Sequence, residues 1–403
     1  MKEKIKSLAH SILPEIITIR RHLHAHPELS FEEFNTSDYI ASKLTEFNIP
    51  FKQGFVKTGI VALIEGKNPS KKIIALRGDM DALPIVEKNT CLYKSQNEGV
   101  MHACGHDVHS ASLLGVAKIL NELKNEFEGT VKFIFQPGEE KLPGGASLMI
   151  KEGVLENPKP VSMLAQHVFP SMETGKVGFC SGMYMASTDE IYITVKGKGG
   201  HAAMPNDYNN PLLIASQLLM DLNNAFMISP SSDALLEDDS VRPPTVLAFG
   251  KIIGSGATNV IPDEVKLEGT FRTMDEIWRA EAHFKMKQIA EAVAQKMGGT
   301  CDVVIKHGYP FLVNDLNVTS RARVAAEDYL GKENVETLPL RMTAEDFSFF
   351  SQQLPSCFYR LGTASLAKGI TSGVHTATFD IDEDALEVGV GLMSWLTINE
   401  LKA

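Results

Sequence analysis

A discontinuous α/β domain with a smaller α+β domain inserted into it is the fold class this sequence predicts. Three observations carry it. Between Lys71 and about Pro170, short apolar runs alternate with helically spaced stretches, the pattern of a mainly parallel α/β sheet. From Ala186 the order becomes β-α-β-β-α-β, the split ferredoxin-like pattern. After about Gly308 the mixed α/β pattern returns. The expected domains are residues 1–185 together with 309–403, and residues 186–308 between them. A length of 403 residues holds both without a third, at about 100–200 residues per domain.

The elements follow in order. Ile5, Leu8, Ile12, Ile16, Ile17 and Ile19 recur at near-helical spacing, as in an amphipathic helix packed on a domain. The segment lacks the uninterrupted apolar core of a signal peptide. Lys72–Arg77 reads as a strand that breaks into GDMDALP, and His109 to Leu123 as a helix. Val131–Gln136 reads as a strand ending at PGEE, and Val161–His167 as one ending at Val168-Phe169-Pro170. In the inserted part, strands are expected at Glu190–Lys196, Thr245–Ile253, Glu264–Arg272 and near Asp302–Lys306. Helices are expected at Pro211–Phe226 and Asp275–Met297, with an acidic loop over Ser229–Pro244.

Composition excludes several partners. Lys+Arg 39 against Asp+Glu 50 leaves a net charge of −11. With no basic stretch, neither nucleic acid nor an anionic membrane is expected. No window of about 18 residues is apolar enough to span a bilayer. The 5 cysteines are odd in number and scattered, which fits a reducing cytoplasm and not a disulfide framework.

Chemistry concentrates in Met101–His109, MHACGHDVH. Cys104, His106 and His109, with His102 and Asp107, offer the thiolate, imidazole and carboxylate ligands of zinc and similar ions. A structural zinc site is disfavoured because paired CxxC elements are missing. Glu139-Glu140 follows a strand in QPGEE; adjacent carboxylates can divide labour, one on metal and one as general base. Asp79 and Asp81 in RGDMDALP can hold a histidine ligand in its tautomer from behind. His167 and His375, read singly, are structural histidines, yet each falls near a strand end. In open α/β sheets that edge binds ligands. His22, His24 and His26 read as helix-end packing or as support behind the ligands.

Together RRHLHAHPELSFEE, RGDMDALP, MHACGHDVHSA, PGEE, GKGGHAAMP, GATNVIPDE, GTFR, TAEDFSFF and HTATFDID, in that order and across nearly the whole chain, resemble the M20 metallopeptidase superfamily. Its amidohydrolase branch, with N-acyl-amino-acid deacylases, hippurate hydrolases and auxin-conjugate hydrolases, matches best. The resemblance implies a zinc-aminopeptidase-like catalytic domain with an inserted lid and dimerisation domain. It implies metal ligands Cys104, His106, Glu140, His167 and His375, and Glu139 as base. Two ions per subunit are implied, zinc, manganese, nickel or cobalt. The broader superfamily has His-x-Asp where this chain has Asp79-Met80-Asp81, and a metal-bridging aspartate where this chain has His106. In the lid, His201 is implied as an oxyanion donor, often supplied by a dimer partner, and Asn259 and Arg272 as holders of a substrate carboxylate. The implied reaction is metal-assisted hydrolysis of an N-acyl amino acid; a dipeptidase or aminopeptidase with the same site is the alternative.

Overall fold

A computed structural model describes residues 1–226 and 243–403. The expected acidic loop over Ser229–Pro244 lies outside the described residues except for Pro243 and Pro244. The Cα framework divides into two units: Met1–Tyr184 with Val313–Leu340 and Asp346–Ala403, and Met185–Leu312 with Arg341–Glu345. The five residues Arg341–Glu345 therefore go with the second unit, whereas sequence pattern alone assigned them to the first.

The first unit opens with helix α1 (Lys2–Ala25), which buries Ile5, Ala9, Ile16, Ile19 and Leu23 along one stripe, the face that the isoleucine spacing demands. Helix α2 (Phe34–Glu46) leads to a hairpin of β1 (Phe51–Phe55) and β2 (Gly59–Glu65). Then come β3 (Ile73–Asp79), α3 (His106–Glu122), β4 (Thr130–Gln136), α4 (Gly145–Lys151), β5 (Ser162–Glu173) and β6 (Val177–Phe179). Every residue of β4 is buried, as expected for a strand covered on both faces.

The second unit runs β7 (Asp189–Lys196), α5 (Pro211–Phe226), β8 (Thr245–Ile253), β9 (Glu264–Thr273), α6 (Glu276–Lys296) and β10 (Thr300–His307). Its sheet is antiparallel in the order β8-β9-β7-β10. Ile191, Ile193 and Val195 of β7 alternate inward onto Ile214, Leu218 and Leu222 of α5 and onto Ala282 and Met286 of α6. One buried charge, Asp189, takes two hydrogen bonds from Arg279 and one from His283.

The chain returns to the first unit as α7 (Leu316–Leu330), β11 (Val335–Thr337), β12 (Ser356–Ala364) and α8 (Ala385–Lys402). The large sheet has eight strands in the order β1-β2-β4-β3-β5-β12-β6-β11. Its centre, β4-β3-β5-β12, is parallel. The joins of β1 to β2, β2 to β4 and β12 to β6 are antiparallel and that of β6 to β11 is parallel, so the strands between Lys71 and Pro170 form the expected parallel centre of a sheet whose margins are mixed. β5 does not stop at His167 but continues to Glu173. Pro170 falls where β5 loses register with β12, between the Phe169–Gly362 and Glu173–Ala364 pairs, a place where a proline without an N–H costs no ladder bond. Because Arg77 pairs with Ala165, His167 lies level with Asp79, the last residue of β3. It thus still reaches the strand-end edge.

All five cysteines are free thiols. Among the described residues no helix is long and apolar enough to cross a membrane. α1, α3, α7 and α8 pack on one another. Gly115 marks one close approach among them: a Cβ there would lie 2.7 Å from Val390 Cγ2 and 3.1 Å from Ile16 Cδ1. Gly115→Val is expected to lower stability by about 1–3 kcal/mol through overpacking. A lower urea midpoint with an unchanged slope would report it.

Candidate metal centre

The turn Cys104-Gly105-His106 is built by backbone geometry. Gly105 has φ +82°, and a Cβ on it would stand 2.6 Å from Val168 Cγ2. Only glycine meets both demands without strain. Its carbonyl accepts from the amides of Val108 and His109, so α3 starts at His106, three residues earlier than helical spacing suggests. His106 and His109 then share a helix face, with Cys104 just outside the helix.

The imidazoles are oriented by groups whose roles are unambiguous. His106 Nδ1 donates to Asp81 Oδ1 at 3.2 Å. His167 Nδ1 donates to the Val168 carbonyl at 2.8 Å. As neutral imidazoles, both rings present a bare Nε2. His167 Nε2 lies 3.5 Å from Cys104 Sγ, and His375 Nε2 lies 3.3 Å from the same sulfur and 3.2 Å from Glu140 Oε1. His106 Nε2 is buried and has no hydrogen-bond partner among the described residues; Glu139 and Glu140 oxygens stand 4.0 Å away. His109 differs: Nδ1 donates to Asp79 Oδ1 at 2.6 Å and Nε2 accepts from the Val168 amide at 2.9 Å. With both nitrogens used, His109 supports the site and does not ligate. His102 is buried with burial holding its pKa down at about 4, a neutral ring outside the donor groups.

Three of the donor groups among the described residues are Cys104 with His106 and His167, Cys104 with Glu140 and His375, and His106 with Glu139 and Glu140, each set within 4.8 Å; Asp79 with His106 and His109 form another. Ligand atoms about 2.0–2.3 Å from one tetrahedral ion stand about 3.3–3.8 Å apart, so the spacing fits cations. The charges fit as well. Burial pushes the Cys104 thiol up, and neighbouring Glu140 adds to that; a bound cation would reverse it. Burial would also raise Asp79, but Arg77, His106 and His109 together hold it well below the usual carboxylate range.

The Glu139-Glu140 turn has its own scaffold, most of it invisible to sequence reasoning. Gly138 has φ +63°, packs against Phe31, and donates its amide to Glu33 Oε1 at 2.8 Å. Burial and the nearby Asp81 raise Glu33 to about 7. Glu140 N donates to Asp81 Oδ2 at 2.9 Å, and Ser30 Oγ to the same oxygen at 2.6 Å. Asp346 donates its amide to Glu139 Oε1 at 3.4 Å and accepts from Arg77, Gln136 and the Ala146 amide. The only hint of these roles in the sequence is that Glu33 and Asp346 fall inside the SFEE and TAED motifs.

Cys104, His106, Glu139, Glu140, His167 and His375 thus converge within the first unit, with Asp79 and Asp81 behind them. His201, Asn259 and Arg272 belong to the second unit. There the exposed His201 pairs across a short antiparallel bridge with Val260, and the Asn259 carbonyl accepts from Ala202 N at 3.0 Å. Arg272, on β9, donates to the Met342 carbonyl at 3.3 Å.

Similarity to known proteins agrees with this geometry. The profile described as Peptidase family M20/M25/M40 matches residues 75–397. The N-acyl-L-amino acid amidohydrolase of Geobacillus stearothermophilus is 38% identical over 313 residues, 78% of this chain and 81% of that protein. The N-acetyl-L-cysteine deacetylase of Bacillus subtilis is 37% identical over 374 residues, 92% and 85% of the two chains. A crystal structure of Bacillus subtilis YXEP protein, a dinuclear metal binding peptidase, superposes with a TM-score of 0.82 at 31% identity over 98% and 99% of the chains.

Gly105→Ala tests the turn. Strain and the Val168 clash are expected to cost about 1–3 kcal/mol and to lower metal content per chain, read by elemental analysis after gel filtration.

Proposed function

The chain belongs to peptidase family M20/M25/M40, a metal-dependent amide hydrolase by descent, and from that premise we propose that it cleaves N-acyl-L-amino acids to a carboxylate and a free amino acid. The observation that carries the reading is Glu139, a buried carboxylate beside the ligand Glu140 in one rigid turn. Metal binding alone has no need of a second carboxylate there. The amidohydrolase and deacetylase relatives support an acylated amino group as the substrate feature.

Cys104, His106, Glu140, His167 and His375 would hold two divalent ions, zinc, manganese, nickel or cobalt. Cys104 would suit both donor groups better than His106, since a thiolate has lone pairs for two ions whereas imidazole Nε2 has one. Bound metal supplies Lewis acidity, polarising the acyl carbonyl and lowering the pKa of water. Glu139 accepts the proton of the attacking water and returns it to the leaving nitrogen. Asp346, through its backbone amide, keeps that carboxylate oriented. Asp81 and the Val168 carbonyl hold His106 and His167 in the ligating tautomer. His201 would brace the developing oxyanion, and Arg272 with Asn259 would take the substrate carboxylate. A homodimer through the second unit and a cytoplasmic location complete the proposal.

Glu139→Gln is expected to cut turnover of N-acetyl and N-benzoyl amino acids by about 10²–10⁴-fold while metal content stays at the wild-type level. Unchanged turnover would remove Glu139 from the mechanism. Matched N-acetylated and free dipeptides, assayed side by side, test the substrate class. Preference for the acylated member is expected; preference for the free amine would give the site to a dipeptidase or aminopeptidase.

A further inference from the structure

Of the five candidate ligands, four leave regular elements or their immediate exits. His375 does not. It lies in the stretch 365–384, which contains neither helix nor extended strand. Its φ is +61°, a region rarely used by residues other than glycine, and its side chain is 53% exposed. Something other than secondary structure must hold it.

Several contacts do. The His375 amide donates to the Ala103 carbonyl at 2.7 Å, and the Lys88 amide to that of Ala377 at 2.8 Å. Asn89 Nδ2 donates to the Phe379 carbonyl at 2.8 Å. Asp380 makes the charged contact, accepting from Arg20 Nη2 at 2.9 Å and from Tyr93 Oη at 2.8 Å. Arg20 is fully buried, lies 4.8 Å from the Tyr93 ring, and donates Nε to Asp107 Oδ2 at 2.7 Å. Asp107 directly follows His106. One guanidinium therefore ties the turn that carries Cys104 and His106 to the arm that carries His375.

We propose that Arg20 and Asp380 are positioning residues that keep the His375 arm in register with the Cys104-Gly105-His106 turn. The ion held by Glu140 and His375 then depends on this pair, and the ion held by His106 and His167 does not. The inference rests on the two-ion reading above. A buried guanidinium that donates Nε to Asp107 and Nη2 to Asp380 restricts both carboxylates at once. Losing it frees an arm that has no ladder or helix of its own, and lost support behind a metal ligand weakens binding by about 10- to 100-fold.

The test is a Zn²⁺ titration of full-length, metal-stripped protein against a chelating indicator, with zinc per chain counted after gel filtration. Wild type should bind two ions. Asp380→Ala, at a partly exposed position that leaves the Arg20–Asp107 pair in place, should keep one ion at wild-type affinity and weaken the other by about 10- to 100-fold. Asp380→Asn keeps oxygen and amide partners for Arg20 and Tyr93 and should restore near wild-type binding. Tyr93→Phe, a milder change read in case Asp380→Ala does not fold, should weaken the same ion to a smaller degree. Wild-type binding of both ions by Asp380→Ala, or by Tyr93→Phe if that variant alone is soluble, overturns the inference. So does equal weakening of both ions in a folded variant. Wild type that binds fewer than two ions overturns the two-ion reading itself, which separates the two failures.

Discussion

A carboxylate with no exposure to solvent, Asp79, is the constraint on which the site depends. It ends β3, accepts from Arg77 at 2.5 Å and from His109 at 2.6 Å, and stands 3.7 Å from His106 Nε2. A buried charge persists only when paired and hydrogen-bonded. Arg77 supplies the pairing, and extends it to Asp346 and Gln136. His109 supplies a donor and passes order onward, since its second nitrogen fixes the amide that follows His167. Sheet, helix and ligands meet at one anion.

From that anchor the chemistry follows by exclusion. Acceptor oxygens behind His106 and His167 leave each ring one direction in which Nε2 can point. A donor behind His109 removes that ring from contention, although it sits in the same nine-residue motif. Glycine at 105 and at 138 lets two backbone turns approach closer than any side chain permits, bringing thiol and carboxylates to one small volume. A divalent cation would satisfy a buried thiol, bare imidazole nitrogens and carboxylates together.

Much of this was legible in the residues, and the gaps have physical causes. The central strands declare themselves because burial on both faces demands unbroken apolar runs, as in Thr130–Gln136. MHACGHDVH stands out because that density of soft and borderline ligands has no packing purpose. The start of α3 was misplaced because Gly105 caps with its backbone, and capping signals are read from side chains. The end of β5 was misplaced because Pro170 reads as a stop, while a register shift in β12 absorbs it. The outer strands β1, β6 and β11 are short and carry little periodicity. Arg20, Glu33 and Asp346 look like solvated charges in sequence. Their burial is set by segments tens to hundreds of residues away, and no local pattern encodes it.

The distribution of the ligands also bears on how such a centre is assembled. Cys104, His106, Glu140 and His167 are attached to the parallel core through α3, β4 and β5, so the fold of the sheet by itself places them within a few ångströms of one another. Repulsion between a Cys104 thiolate and the Glu140 carboxylate, and the desolvation of that thiolate, oppose metal-ready ionisation there. The bonds from Asp81, Val168 and Arg77 offset part of this cost, and metal binding offsets the rest. His375 arrives last in the chain, on the least regular segment, and closes the set from the solvent side. On the proposed ligand set, the sheet edge would supply a rigid part of the site and the 365–384 stretch its one irregular member.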